Sequence, residues 1–261
     1  MLSRYLAKFA AFLPTPWKFR LKRFKPLYTT ALRIGGRVVA IQTSAGRFQW
    51  HIDKLTCQRY LLGTFEPYMQ EAFRRYIRPG AVVYDVGAHA GFHSLYCALL
   101  AGPTGRVIAF EPDPEAIDTL SREISANPGL RVEIIRCALS DSIGTLQLDT
   151  SIDTSQATIR PSGAVQIESQ TIDALVTGGR LPPPDIIKID VEGHEGHVLR
   201  GATDTLRKHK PIVLCDFNDE LTFQTVSECT CRLGYAVVPG PPITAYPVAA
   251  NCLASGELNH C

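Results

Sequence analysis

Residues 81–91 read AVVYDVGAHAG, from Ala81 to Gly91. The first six form a compact apolar run rich in β-branched side chains, the pattern of a strand buried on both faces. A turn carrying Gly87 and Gly91 follows, and then a helical stretch through Leu100. Glycine at these two places permits a tight turn. It also brings the backbone close to any ligand and points a helix N-terminus at it.

Working outward, the same unit recurs. Arg106–Phe110, Val132–Arg136, Asp185–Ile189, Pro211–Phe217 and Tyr235–Val238 read as further strands. Between them lie helices over Pro114–Ala126, from Glu195 to Lys208, and from the end of the fifth strand to about Leu233. Apolar strands alternating with helices predict an α/β fold with a Rossmann-like, mostly parallel sheet. Residues 140–184 break the rhythm with short polar stretches, Thr145–Leu148 and Val165–Ser169. They predict an inserted hairpin or lid, with Thr154–Arg160 polar enough to line it.

Upstream of the sheet the composition changes. Residues 1–52 carry ten of the 27 Lys and Arg residues and none of the 25 acids, so the rest of the chain is acidic although the formal total is +2. Leu2, Tyr5, Leu6, Phe9 and Leu13 recur at helical spacing, as do Trp17, Leu21, Phe24 and Tyr28. Arg37–Gln42 and Arg47–Ile52 read as two strands around a Thr-Ser-Ala-Gly turn. This divides the chain into a basic arm, residues 1–54, and a main domain, residues 55–261. Three uses of the arm stay open: packing on the acidic domain, holding a phosphorylated or nucleotide-linked substrate, or contacting an anionic membrane surface. No pattern for sequence-specific nucleic-acid binding is present.

The 261 residues are 45% hydrophobic and 20% charged, which excludes an intrinsically disordered chain. The longest nearly apolar stretch, Leu95 to Gly102, is far short of the roughly 20 residues of a bilayer helix. Lys8 interrupts any signal-peptide core, and a cytoplasmic protein is expected. The eight cysteines include no C-x-x-C pair, so they read as ordinary thiols in a reducing compartment.

The ligand is narrowed by Glu111, at the end of the second strand. A carboxylate there can accept hydrogen bonds from both hydroxyls of a ribose. A dinucleotide site normally shows G-x-G-x-x-G, whereas Gly87 and Gly91 are separated by Ala88, His89 and Ala90. That spacing suits a smaller nucleoside ending in an amino acid, and S-adenosylmethionine has both parts. An NAD(P)-dependent oxidoreductase and a non-catalytic nucleoside-binding module are the rival readings.

Several segments resemble the FkbM-type methyltransferases: DVGAHAGFHSL (85–95), AFEPDPEAIDTL (109–120), CALSDSIGTL (137–146) and IIKIDVEGHEGHVLRGA (186–202). LGTFEPYMQEAF (62–73) looks like the stretch before that family's first strand. The resemblance implies a class I S-adenosylmethionine-dependent methyltransferase fold ending in an antiparallel hairpin, here Tyr235–Val238 with Ile243–Ala254. It implies that Asp85, Gly87 and Gly91, with His89 in the same loop, line the methionine end of the cofactor. Glu111 would hold the ribose, and Ser140 and Asp141 would approach the adenine. Lys188, Asp190 and Glu192 would edge the reaction centre. His89 stands where the family often has Asn, and Asp216 where Glu is more usual.

Methyl transfer is an in-line displacement whose leaving group, a neutral thioether, is already good. The harder task is withdrawing the acceptor's proton. Asp190, Glu192 and His194 are the candidate bases, with Glu195 and His197 reading as the cap and first turn of the next helix. No metal is expected; Mg²⁺ between Asp190 and Asp216 is a lesser alternative. The resemblance implies oxygen acceptors on sugars, glycolipids or secondary metabolites, and leaves room for nitrogen acceptors such as peptide side-chain amides.

Overall fold

A computed structural model describes residues 37–53, 55–150, 157–216 and 220–248. The two helices expected in residues 1–28 lie outside these, as do eight of the ten Lys and Arg residues of 1–52.

The described chain opens with the expected hairpin, β1 (Val38–Gln42) paired antiparallel with β2 (Arg47–His51). Alternation sends Ile41, Phe48 and Trp50 inward, all buried. The hairpin is bound into the main domain. Its backbone at Gln49 and His51 donates to Asn127 and Glu123, and Trp50 packs beside Phe92. Two helices follow, α1 (Gln58–Leu62) and α2 (Pro67–Tyr76).

The strand and helix units come next: β3 (Val82–Val86), α3 (Phe92–Ala101), β4 (Arg106–Phe110), α4 (Pro114–Ser125) and β5 (Val132–Ile135). Helix α4 starts where it does because Asp113 accepts from Glu115 N at 3.0 Å and Pro114 has no N–H to leave unpaired.

The inserted region is more than a hairpin. Strands β6 (Ala138–Leu139), β7 (Gly144–Asp149), β8 (Thr158–Ile159) and β9 (Val165–Gln170) form a second sheet in the order β6-β9-β7-β8. Its apolar face, Ala138, Leu148 and Ile167, makes a small core of its own. Helix α5 (Ile172–Thr177) returns the chain to the main sheet.

After β10 (Ile186–Ile189) the single helix expected from Glu195 to Lys208 is two, α6 (Glu195–Arg200) and α7 (Thr203–His209). The break is at Gly201, whose backbone lies against the Ser140 carbonyl so closely that a Cβ would fall 1.9 Å from its oxygen. A tertiary contact therefore ends the helix where periodicity would continue it. Strand β11 (Ile212–Cys215), helix α8 (Glu220–Thr230), β12 (Tyr235–Val238) and β13 (Ile243–Pro247) complete the fold.

The main sheet has the order β12-β13-β11-β10-β3-β4-β5. Strands β3, β4, β5, β10 and β11 are parallel, and β13 is antiparallel to both its neighbours. This is the Rossmann-like sheet with its terminal antiparallel hairpin. Alternate residues feed two cores. Val83, Val107, Ile186 and Leu214 pack with α2 and α3, while Tyr84, Ile108, Ile187 and Val213 pack with α5 to α7. The chain runs outward through β4 and β5, then returns to lay β10 on the other side of β3. The switch point therefore lies between β3 and β10, where a parallel sheet opens a crevice at its carboxyl edge.

Candidate active site

The loops after β3 and β10 meet at this crevice. Gly87 has φ +74° and Gly91, capping α3, has φ +90°. Beneath them Lys188 is buried, its ammonium 3.0 Å from Asp85 and 3.5 Å from Asp190. It donates to the Gly87 carbonyl at 2.8 Å, and Ser94 Oγ donates to the other Asp85 oxygen at 2.5 Å. Burial opposes the charge of Lys188, but Asp85, Asp190 and Glu66 outweigh it and hold its pKa above the ordinary range. Lys188 is therefore a fixed cation that ties the two loops together.

Glu111 lies at the end of β4, 6% exposed. One carboxylate oxygen accepts from His89 N at 2.6 Å and the other from Asp113 N at 2.9 Å. Burial pushes its pKa up to about 7, against the pull of those two N–H groups. With Gly87, His89, Asp190 and Glu192 it lines a cleft whose walls are Phe110, Cys137 and Leu139. Leu148, Ala157 and Ile159 of the second sheet roof it. The cleft holds about 80 Å³, below the roughly 300–1,000 Å³ usual for small-molecule sites.

Two residues expected at the adenine are engaged elsewhere. Ser140 Oγ is 3.0 Å from His194 Nε2, and Asp141 is bound at 2.7 Å by His197 Nδ1 and at 3.3 Å by Arg200. Neither lines the cleft, whose wall there is Cys137 to Leu139. His194 stacks on His197 with ring centroids 4.2 Å apart. Burial, then His197, lowers the pKa of His194 to about 4. The imidazole is neutral at pH 7 but a weak base. Asp190 and Glu192 do reach the cleft, and Glu192 sits in the left-handed region at φ +51° with burial and Asp190 raising its pKa.

Sequence reasoning left out one side of this centre. Tyr68 donates to Asp216 at 3.0 Å, and Glu66, at the start of α2, lies 3.6 Å from His93 Nε2. Glu66 and Tyr68 belong to a segment quoted above only for its resemblance. The signal available was a Glu before Pro at a helix start, a position that a solvent-exposed carboxylate also fills. Among the described residues no group of three or more His, Cys, Asp or Glu side chains is arranged to hold a metal ion.

A family model described as a methyltransferase FkbM domain matches residues 85–235. The hexuronic acid methyltransferase AglP of Haloferax volcanii is 36% identical over 128 residues, covering 48% of this chain and 52% of AglP. Methyltransferase sdnD of Sordaria araneosa is 30% identical over 157 residues, covering 47% of this chain and 60% of sdnD. The 2-O-methyltransferase NoeI of Sinorhizobium fredii is 23% identical over 167 residues, covering 56% of this chain and 67% of NoeI. The chain thus spans about half to two thirds of the length of these relatives.

Proposed function

The chain belongs to the FkbM methyltransferase family, and on that premise we propose that it methylates a hydroxyl of a sugar or similar polyhydroxylated acceptor, using S-adenosylmethionine. The observation that carries the reading is Glu111. A carboxylate buried at the carboxyl end of β4, with its pKa pushed to about 7, lines a cleft beside the Gly87 loop. Its ionised form is poorly solvated, so two ribose hydroxyls donating to it would relieve that cost. The residues present fit the cofactor in this respect.

In this reading Glu111 holds the ribose. Gly87, His89 and Gly91 bring backbone to the amino-acid tail, and Asp85 stiffens their loop through Ser94 and Lys188. Ser140 and Asp141 brace α6 and leave the adenine to the apolar wall at Leu139. When bound, S-adenosylmethionine supplies an electrophilic methyl group on a sulfonium. Lys188 positions and does not react, because its proton is held by Asp85 and Asp190. The rim of Asp190, Glu192 and Asp216 receives the acceptor by accepting from its hydroxyls.

That rim repels a carboxylate. AglP is by name a hexuronic acid methyltransferase, whereas the acidic rim supports a neutral acceptor here. An amine would also suit it, and a nitrogen acceptor is the second reading. Among the described residues no helix is long and apolar enough to cross a membrane.

The test is a calorimetric titration with S-adenosylhomocysteine, with NAD as comparison, followed by transfer of labelled methyl to a neutral hexoside, a hexuronate and an amino sugar. Binding of the thioether alone and preference for the neutral hexoside are expected. Absence of thioether binding in folded protein would sink the methyltransferase reading. Preference for the hexuronate would sink the acceptor class alone.

A further inference from the structure

Glu66 is held in an unusual way. Its backbone is left-handed, φ +41° and ψ +71°, a conformation that a side chain of this size seldom adopts. The loop that fixes it is anchored by Gln70, whose amide donates to Gly63 O at 3.1 Å and Phe65 O at 2.7 Å. The Glu66 side chain thereby turns inward. Its Oε2 and the Nε2 of His93 are both buried without a hydrogen-bond partner and stand 3.6 Å apart, a few tenths of an ångström beyond a hydrogen bond. Phe65 and Phe73 cover the His93 ring.

The groups facing Glu66 come from every element around it. They are Asp85 of β3, Lys188 and Asp190 on and after β10, Asp216 after β11, Tyr60 of α1, His93 of α3 and, on its own helix, Tyr68. Lys188 already has Asp85 and Asp190 as partners. A further carboxylate here lacks a cation of its own, and burial, then Asp190, raises the pKa of Glu66 to about 8. His93 stays neutral, lowered by burial and by Lys188.

We propose that Glu66, with His93 seated behind it, takes the acceptor's proton during methyl transfer. The proposal rests on the methyltransferase reading. The acceptor's O–H bond breaks, its electron pair forms the new bond to the methyl carbon, and the proton passes to the Glu66 carboxylate. The carbon–sulfur pair leaves with sulfur. A cation bound among these carboxylates draws Glu66 into its ionised form beforehand, and loss of that cationic charge makes the carboxylate a stronger base as the proton arrives. Glu66 lies upstream of the residues that the family model matches.

The test compares binding of S-adenosylmethionine with binding of S-adenosylhomocysteine at pH 7, without acceptor, in buffers of different ionisation enthalpy. Glu111 responds to the ribose common to both, so the difference in released protons isolates the sulfonium charge. The unsubstituted protein should release more protons with S-adenosylmethionine, by most of one proton per site. Glu66→Gln should abolish that difference, lower kcat about a hundredfold or more with KM little changed, and remove the acidic limb of the kcat/KM pH profile. Equal release for the two compounds in the unsubstituted protein overturns the proposal, and this holds even if Glu66→Gln fails to fold. Wild-type turnover by Glu66→Gln overturns it as well. If neither compound binds, the methyltransferase reading itself has failed.

Discussion

A Cβ on Gly87 would lie 1.9 Å from the backbone oxygen of Asp190. The loops after β3 and β10 therefore meet backbone to backbone at this point, with no room for a side chain between them. Gly87 is also left-handed, at φ +74°. Gly87→Ala combines a strained backbone with a clash that no rotamer can relieve. A stability loss of about 2–4 kcal/mol is expected in urea unfolding, with thioether binding lost in the fraction that still folds.

Lys188 joins the same two loops from below. Replacing it by Met keeps the volume and strands Asp85 as a buried carboxylate without its cation. The expected cost is about 3–5 kcal/mol. Lys188→Met/Asp85→Asn should recover part of it, because the uncompensated charge is then gone. A double variant no more stable than Lys188→Met would mean that packing, and not charge, sets the cost.

If Glu111 holds the ribose as proposed it has two tasks, and Glu111→Ala should show two effects. The ribose loses its acceptor, worth about 1.5–3 kcal/mol per charged hydrogen bond, or roughly tenfold to a few hundredfold in affinity for S-adenosylhomocysteine. His89 N and Asp113 N lose theirs as well, so the melting temperature should fall even without ligand. Unchanged affinity in calorimetry would mean that the ribose lies elsewhere.

The main sheet was legible because parallel strands buried on both faces must be continuous apolar runs, and Val82–Val86 and Ile186–Ile189 are such runs. The Gly87 turn and Glu111 could be placed at the crevice because both follow directly on strand ends, and the carboxyl edge of such a sheet is where its crevice opens. What escaped was tertiary. Gly201 ends a helix because of Ser140, a residue 61 positions away. The hairpin of β7 and β9 becomes a sheet because β6 pairs with β9 and β8 with β7, each strand only two residues long. Glu66 is turned inward beside His93 by the Gln70-anchored loop, and neither contact leaves a mark in local periodicity.

His194 is expected to be structural. Its ring joins Ser140 to the start of α6 and stacks on His197. With its pKa lowered to about 4 it has little driving force to take a proton. His194→Ala should therefore cost about 1–2 kcal/mol of stability and leave kcat within about threefold. A hundredfold loss of kcat in protein that binds S-adenosylhomocysteine normally would restore it to the reaction.

The buried carboxyls also set how stability without ligand depends on pH. Glu66 and Glu111 are raised by burial to about 8 and about 7 from an ordinary 4.5. The folded chain therefore binds more protons than the unfolded chain above pH 4.5. Their contribution is fully present below that value and is lost as pH rises through 7 to 8. Burial lowers His93 and His194 from 6.5, so their contribution is present above 6.5 and is lost as pH falls towards 4. The two trends oppose each other between 4.5 and 6.5, and only the carboxyls act from 6.5 to 8. Glu123 and Glu192, also raised by burial, add in the same direction. Denaturant unfolding should give a free energy that falls across pH 6.5 to 8, by at most about 1.4 kcal/mol per pH unit for each carboxyl. Glu66→Gln should flatten the upper part of that fall. A stability that stays level or rises through this window would mean that these carboxyls are better solvated than their burial implies.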